Sequence, residues 1–310
     1  MRSQRKAGGR VAKTLSTLRS FIVLLIVGAT LALVLPPSHE TLQALHINAA
    51  QYRVAIFTLI LPYAVIWFSA FYAFSRLRQY AMLVRKTPEG EGFRDIARGV
   101  GVLAWGLALP TILSMLMGAV AQHLPGFKPV QTIINNYLAV LVPLVGFSII
   151  GRGTRKLNDL VGARPGQRTI RLVIAIFLAV AALFIHSVLH NQNAHDNPYY
   201  LDIYLLLLTL IVPYLYTWAI GLLSGLEAAL YAKYIKGVLY RRAMTALGGG
   251  MAIVIVASVA TQYLTASFAS KATTSLGFLL ALLYMLLAIQ AVGYVFIAIG
   301  AKQLKKMEEV

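Results

Sequence analysis

Long apolar stretches, separated by short segments rich in Lys and Arg, make up most of the chain. Eight of them are long enough to cross the ~30 Å hydrocarbon core of a bilayer as helices, at about 20–37, 54–75, 99–121, 133–151, 170–190, 200–224, 246–267 and 276–300. Backbone groups in lipid must be paired within their own segment, and the chain lacks the alternating pattern of a membrane barrel. The pattern predicts an all-α polytopic membrane bundle of about eight transmembrane helices.

The positions of the basic residues predict the orientation of these spans. Only three of the 28 Lys and Arg residues, namely Arg53, Lys128 and Lys271, fall outside the two termini and every second loop. Lys and Arg are enriched in cytoplasmic loops of membrane proteins. We therefore expect a multi-pass protein of the plasma membrane with both its N-terminus and its C-terminus in the cytoplasm.

The second and sixth spans share a sequence. Thr58–Tyr63 reads TLILPY and is followed by Trp67, whereas Thr209–Tyr214 reads TLIVPY and is followed by Trp218. The offset between the two segments is 151 residues throughout. Apolar segments often match by accident, but shared Pro, Tyr and Trp at one constant offset indicate an internal repeat.

Other pairs of spans match at similar offsets. The fourth and eighth spans align at offset 149, where Gly151 pairs with Gly300, and the first and fifth align at offset 152. The ordered series predicts a 4+4 tandem repeat, with residues 1–157 as the first four-helix membrane repeat and 158–310 as the second. Each half has an even number of spans, so we expect a pseudo-twofold axis along the membrane normal.

Composition narrows the functional classes. Only 12% of the residues are charged, about half the share of a soluble domain, and the formal net charge is +18. In a soluble protein that charge would suggest nucleic acid, but here the topology of the spans explains it, and no nucleic-acid partner is predicted. The absence of cysteine excludes disulfides, thiol catalysis and Cys-ligated metal sites.

Polar, aromatic and helix-breaking residues near the middle of several spans are the candidate pocket residues. A proline lacks the N–H that bonds the carbonyl four residues earlier, so a kink with a freed carbonyl is expected. Buried Tyr and Trp side chains and amides need hydrogen-bond partners. Framing of a binding site and ordinary helix packing both explain them. The candidates are Thr58, Pro62, Tyr63, Trp67, Thr209, Pro213, Tyr214, Trp218, Gln262 and Gln290.

Titratable groups are absent from the middle of the predicted spans. No Asp or Glu lies there, which argues against a carboxylate-based proton or sodium path. All six histidines fall on the side opposite most of the cations. His186 and His190 lie one helical turn apart and are candidate metal ligands with Asp196, the alternative being that they are polar interfacial residues. No cofactor and no other metal site are predicted.

Two functions of different classes fit these observations. The first is facilitated transport, or a channel, for a small solute that passes at the repeat interface. The alternative is a non-catalytic accessory or scaffold subunit, embedded in the lipid bilayer, that binds a protein partner or lipid. An enzyme is not expected because no phosphate loop, nucleophile elbow or buried acid–base pair is present. A wet cavity on the axis would favour the first function, and a dry interior the second.

Overall fold

The computed structural model describes residues 48–123, 128–189, 212–234, 238–268 and 276–308, and every element in them is α-helical. This confirms the all-α class, and seven of the predicted spans coincide wholly or in part with these helices. The first predicted span and residues 200–211 lie outside the described part. The helices are α1 Ala49–Leu83, α2 Gly90–His123, α3 Lys128–Val161, α4 Gln167–Leu189, α5 Val212–Tyr234, α6 Val238–Phe268 and α7 Leu276–Glu308.

Most of these helices are longer than the predicted spans, and the additional turns carry the basic residues. A helix of 34 residues, such as α2, is about 50 Å long, whereas the hydrocarbon core is about 30 Å thick. We name the end of the bundle formed by 76–98, 152–168, 225–234, 238–245 and 301–308 the basic end. Helical structure therefore continues beyond the apolar segments at the basic end.

The connection between α1 and α2 is much shorter than the sequence indicates. Residues 76–98 separate two predicted spans, and the sequence favours a loop for 76–86 with a helical extension as the alternative. In the structure only residues 84–89 interrupt the helices. Thr87 donates hydrogen bonds from its N–H and its hydroxyl to the Val84 carbonyl, and Pro88 follows. A proline at this place cannot continue α1 but is compatible with a turn. Because the turn is tight, α1 and α2 are neighbours along their length.

The end of α3 is fixed by a glycine. Gly162 has φ of +66°, and the Ala163 N–H donates to the Asn158 carbonyl five residues earlier at 2.9 Å. This is the hydrogen-bond pattern of a Schellman cap, which favours Gly because a side chain is strained at positive φ. The repeat boundary predicted between residues 157 and 158 lies inside α3. Residues 162–166 connect α3 to α4.

Six helices form a closed ring. Going round it, α1 packs on α2, α2 on α3, α3 on α5, α5 on α6, α6 on α7 and α7 on α1. Helix α4 lies outside the ring against α5 and α6 and makes few contacts with them. The α3–α5 contact and the α7–α1 contact thus join the three-helix group α1–α3 to the group α5–α7.

A glycine allows close approach where α2 crosses α3. A Cβ built on Gly99 would lie 2.6 Å from the Ile150 side chain and 2.8 Å from the Gly146 carbonyl oxygen. Real Cβ atoms are essentially never that close to another atom, so any larger residue would force the two helices apart. Close contact through small residues is typical of helix packing in membranes.

The crossing of α6 and α7 has the same construction. A Cβ on Gly250 would lie 2.6 Å from the Gly293 carbonyl oxygen and 2.8 Å from the backbone nitrogen of Ile297. In both crossings the glycine of the first helix therefore lies against two residues of the second helix. These are a glycine, through its carbonyl, and the isoleucine four residues after it.

Large apolar side chains are exposed on faces that no described helix covers. Val256 of α6 is 56% exposed, and Met285 and Val292 of α7 are 52% and 50% exposed. A protein in water rarely leaves an extended apolar surface uncovered. Within the described residues, two helical segments are long and apolar enough to cross a membrane, Tyr240–Thr261 and Ala281–Glu308.

Candidate functional site

The candidate pocket residues of α1 and α5 pack within the bundle. Trp67 is 4% exposed, Trp218 is fully buried, and the ring centroids of Tyr214 and Trp218 are 6.0 Å apart. Tyr63 and Trp67 form the matching pair on α1, with centroids 6.3 Å apart. These aromatic side chains lie side by side along their helices, which is the arrangement expected for packing.

Pro62 lies inside α1, and Pro213 is the second described residue of α5. Both are partly buried. Thr58 and Gln262 belong to α1 and α6, but their side chains lie outside the description, as does all of Thr209.

Gln290 has a hydrogen-bond partner on a neighbouring helix. It is 3% exposed, and its Nε2 donates to the Ser258 hydroxyl at 2.9 Å, which joins α7 to α6. Of the histidine pair, His186 is an exposed residue of α4, and His190 lies outside the described residues. No group of three His, Cys, Asp or Glu side chains suited to a metal occurs in the part of the chain that the structure describes.

Three tyrosines and a glutamate meet at the basic end of the ring, and we call them the tyrosine latch: Tyr80, Tyr231, Tyr240 and Glu89. The Tyr240 hydroxyl donates to Glu89 Oε2 at 2.9 Å, and the hydroxyls of Tyr240 and Tyr80 are 3.3 Å apart. Tyr80 and Tyr231 are almost fully buried. The latch links the ends of α1 and α5 to the starts of α2 and α6.

Burial controls the protonation of the latch. Removal from water raises the pKa of Tyr80 to about 12, the nearby Glu89 and Glu308 carboxylates add to the increase, and the hydrogen bond with Tyr240 opposes it. Desolvation, followed by the Glu89 charge, also raises the pKa of Tyr231. The tyrosine hydroxyls therefore stay protonated at physiological pH and act as hydrogen-bond donors or acceptors.

A second polar group lies where α2 meets α3, and we call it the Asp95 cluster. Asp95 is 2% exposed, yet its carboxylate lies 3.2 Å from Arg152 Nε, 3.1 Å from Lys156 Nζ and 3.6 Å from Arg98. Lys156 also donates to Glu91 at 3.1 Å. The hydrogen bonds to Glu91 and then Asp95 raise the pKa of Lys156. The buried carboxylate is thus balanced by cations whose heads reach water.

Helices α3 and α5 are joined by hydrogen bonds along their contact. The Ser224 hydroxyl donates to the Phe147 carbonyl at 2.8 Å, and Asn158 Nδ2 donates to the Glu227 carbonyl at 2.9 Å. The Glu227 carboxylate accepts from Arg155 at 3.0 Å. Small polar groups that bond the backbone of a neighbouring helix are typical of membrane interfaces.

A groove of about 580 Å³ lies along α6 and is bordered by Phe296 of α7. Two arginines lie at its basic end, and a Cβ on Gly249 would meet nothing within 4 Å. The part farther from the basic end is lined mainly by apolar and small residues. The lining residues include Arg241, Arg242, Ala246, Gly249, Ile253 and Phe296.

Sequence reasoning favours loops over helical extensions for 76–86 and 226–243, and it therefore does not predict the latch or the Asp95 cluster. A signal for the helix was present: Phe93, Ile96, Ala97 and Val100 are spaced as one apolar face of a helix, and all are buried. Asp95 lies beside this face.

No protein-family model matches the chain, and no curated protein or solved structure shows significant similarity to it.

Proposed function

We propose that the chain is a multi-span membrane protein with its basic end in the cytoplasm. Two apolar helices of sufficient length, together with exposed Val, Met and Phe side chains on α6 and α7, support the placement in lipid. The concentration of Lys and Arg at one end supports the orientation.

We also propose that the two halves are copies of one four-helix unit. The order of packing in the ring is the same for α1–α3 and α5–α7, and Gly99 and Gly250, at offset 151, make matching crossings. Gly99 contacts Ile150 and Gly250 contacts Ile297, so Ile150 and Ile297 occupy equivalent places in the two crossings. This gives α3 and α7 an offset of 147 rather than 149.

The function that this architecture supports best is the binding of a lipid or a membrane partner at its lipid-facing surface, without catalysis. The carrying observation is the open groove beside α6 and α7, the two described helices that contain segments long and apolar enough to cross a membrane. By contrast, the described aromatic candidates for an internal pocket pack against one another, and Gln290 bonds Ser258. These contacts match the dry interior that favours an accessory or scaffold role.

Facilitated transport of a small solute remains the second candidate, and the tyrosine latch favours it. A carrier built from two halves needs a contact that closes one side and can open. Tyr80 and Glu89 in the first half and Tyr240 in the second provide such a contact at the basic end.

Flux through proteoliposomes distinguishes the two candidates. We expect uncharged solutes of increasing size to enter vesicles that contain the wild-type chain no faster than protein-free vesicles. The matched variant is Tyr240→Phe with Glu89→Gln, which breaks the latch but keeps its volume, and we expect it to show no flux either. Saturable flux in the wild type, changed in this variant, would establish transport and reject the lipid-facing role as the main function.

A further inference from the structure

The groove is formed mainly by α6, in the second half of the chain. At offset 151, Ala246 and Gly249 of α6 correspond to Asp95 and Arg98 of α2. In the first half the Asp95 carboxylate is buried where α2 meets α3 and pairs with Arg98 and Arg152. In the second half the same positions carry a methyl group and a hydrogen atom, so the space between the helices stays open.

The charges at the two places are also different. Arg242 corresponds to Glu91, which in the first half pairs with Lys156. Across the described residues, neither Arg241 nor Arg242 forms an ion pair with a carboxylate. Both are exposed at the end of the groove. An occupant of this groove therefore meets two cations and Thr245 at one end, and small or apolar residues along the rest.

We propose that the groove binds one anionic phospholipid of the cytoplasmic leaflet. The phosphate lies between Arg241 and Arg242, and an acyl chain runs past Gly249 and Ile253 towards the middle of the membrane. The volume of about 580 Å³ is within the usual range for small-molecule sites. This proposal rests on the membrane placement and orientation given above.

Charge complementarity selects a phospholipid over a protein helix. The lipids of the cytoplasmic leaflet carry negative headgroups, and basic pockets between membrane helices on that side bind them. A phospholipid has its anionic group at the membrane surface and its apolar part below, which matches the order of residues along the groove. A transmembrane partner would need an acidic side chain at the same depth.

The test measures binding of phosphatidylglycerol to the full chain in detergent by native mass spectrometry, with phosphatidylcholine of the same acyl chains as the comparison. We expect one phosphatidylglycerol to be retained. Arg241→Gln with Arg242→Gln should weaken it roughly 30-fold, because each cation near the surface contributes a factor of about five. The control, Arg164→Gln with Arg168→Gln, removes the same charge from another exposed segment and should bind as the wild type does.

A second variant blocks the apolar part of the groove. Gly249→Leu fills open space, and Leu has a higher helix propensity than Gly, so the variant should fold and lose the lipid. Equal retention of phosphatidylglycerol and phosphatidylcholine would overturn the proposal, as would retention of inorganic phosphate alone in place of the lipid. So would a Gly249→Leu variant that keeps the lipid, or one that changes only the oligomeric state, since a second copy of the chain would then occupy the groove.

The membrane placement is checked separately. If alkaline carbonate extracts the chain from membranes, the proposed function fails and the lipid site fails with it. If the chain resists extraction but shows no preference for the anionic lipid, only the lipid site is rejected.

Discussion

At the scale of single residues, the tyrosine latch shows how burial changes an ordinary side chain. The Tyr80 hydroxyl is held among Tyr240, Tyr231 and Glu89, and Tyr80 is fully buried. A phenolate at this place would lack water and lie close to a carboxylate. The latch can therefore be stable only while its tyrosines are protonated.

This leads to a prediction for alkaline stability. Unfolded tyrosine ionises near pH 10, whereas the pKa of Tyr80 in the folded protein is about 12. The stabilisation is fully present below pH 10 and is lost as pH rises towards 12, because the unfolded state then releases the proton first. The difference between these two pKa values corresponds to roughly 2–3 kcal/mol of unfolding free energy.

The measurement is thermal unfolding of the detergent-solubilised chain between pH 8 and pH 12. Tyr80→Phe should lose less stability over this window than the wild type, although burial of Tyr231 leaves part of the effect. Tyr72→Phe, at an exposed position of α1, is the control and should follow the wild type. Parallel curves for the wild type and Tyr80→Phe would show that ionisation of Tyr80 does not contribute.

At the scale of helices, glycines determine which pairs approach most closely. Gly99 and Gly250 lie at crossings where a Cβ would come within 2.6 Å of another helix, whereas Gly249 faces open space. Neighbouring positions on α6 therefore have opposite requirements, although helix propensity alone favours Ala at both.

Alanine substitutions test this difference. Gly99→Ala and Gly250→Ala should each destabilise the protein by about 1–3 kcal/mol, because the added methyl group overpacks the crossing. Gly249→Ala should stabilise it by up to about 1 kcal/mol, since it adds helix propensity without a clash. Unfolding in increasing denaturant in mixed micelles would measure all three, and a stabilised Gly250→Ala would contradict the crossing geometry.

The helices themselves were largely predictable from the sequence, and the sites were not. Long apolar runs located every described helix, since the buried residues and many exposed residues of these helices are apolar. The helical turns at the basic end were missed because the charges of Arg94, Asp95 and Arg98 suggest a loop. The pairing of Tyr80 with Tyr240, 160 residues apart, depends on the closure of the ring and has no local sequence signal.

At the scale of the whole molecule, the two halves differ most in their polar contacts. The α3–α5 contact contains hydrogen bonds from Ser224 and Asn158. In the α7–α1 contact, the buried residues Leu287 and Ile66 are apolar, and they correspond to Val140 and Thr217 of α3 and α5. The α2–α3 contact contains the Asp95 cluster, and α6 carries the groove. The groups α1–α3 and α5–α7 thus differ in their described polar features.

The central claim is that this framework spans the membrane with its basic end in the cytoplasm. The chain has no cysteine, so single cysteines can be introduced without interference. Ala49 lies exposed at the start of α1, opposite the basic end, and Gly166 lies exposed between α3 and α4 in open space. Gly166 is preferable to Gly162, where the positive φ would strain a cysteine.

The most direct measurement is labelling of Ala49→Cys and Gly166→Cys with a membrane-impermeant thiol reagent, in intact cells and after permeabilisation. The account predicts that Ala49→Cys reacts in intact cells and that Gly166→Cys reacts only once the membrane is opened. Labelling of Gly166→Cys in intact cells, with protection of Ala49→Cys, would reverse the orientation. Reaction of neither residue until the cells are opened would contradict a membrane-spanning ring.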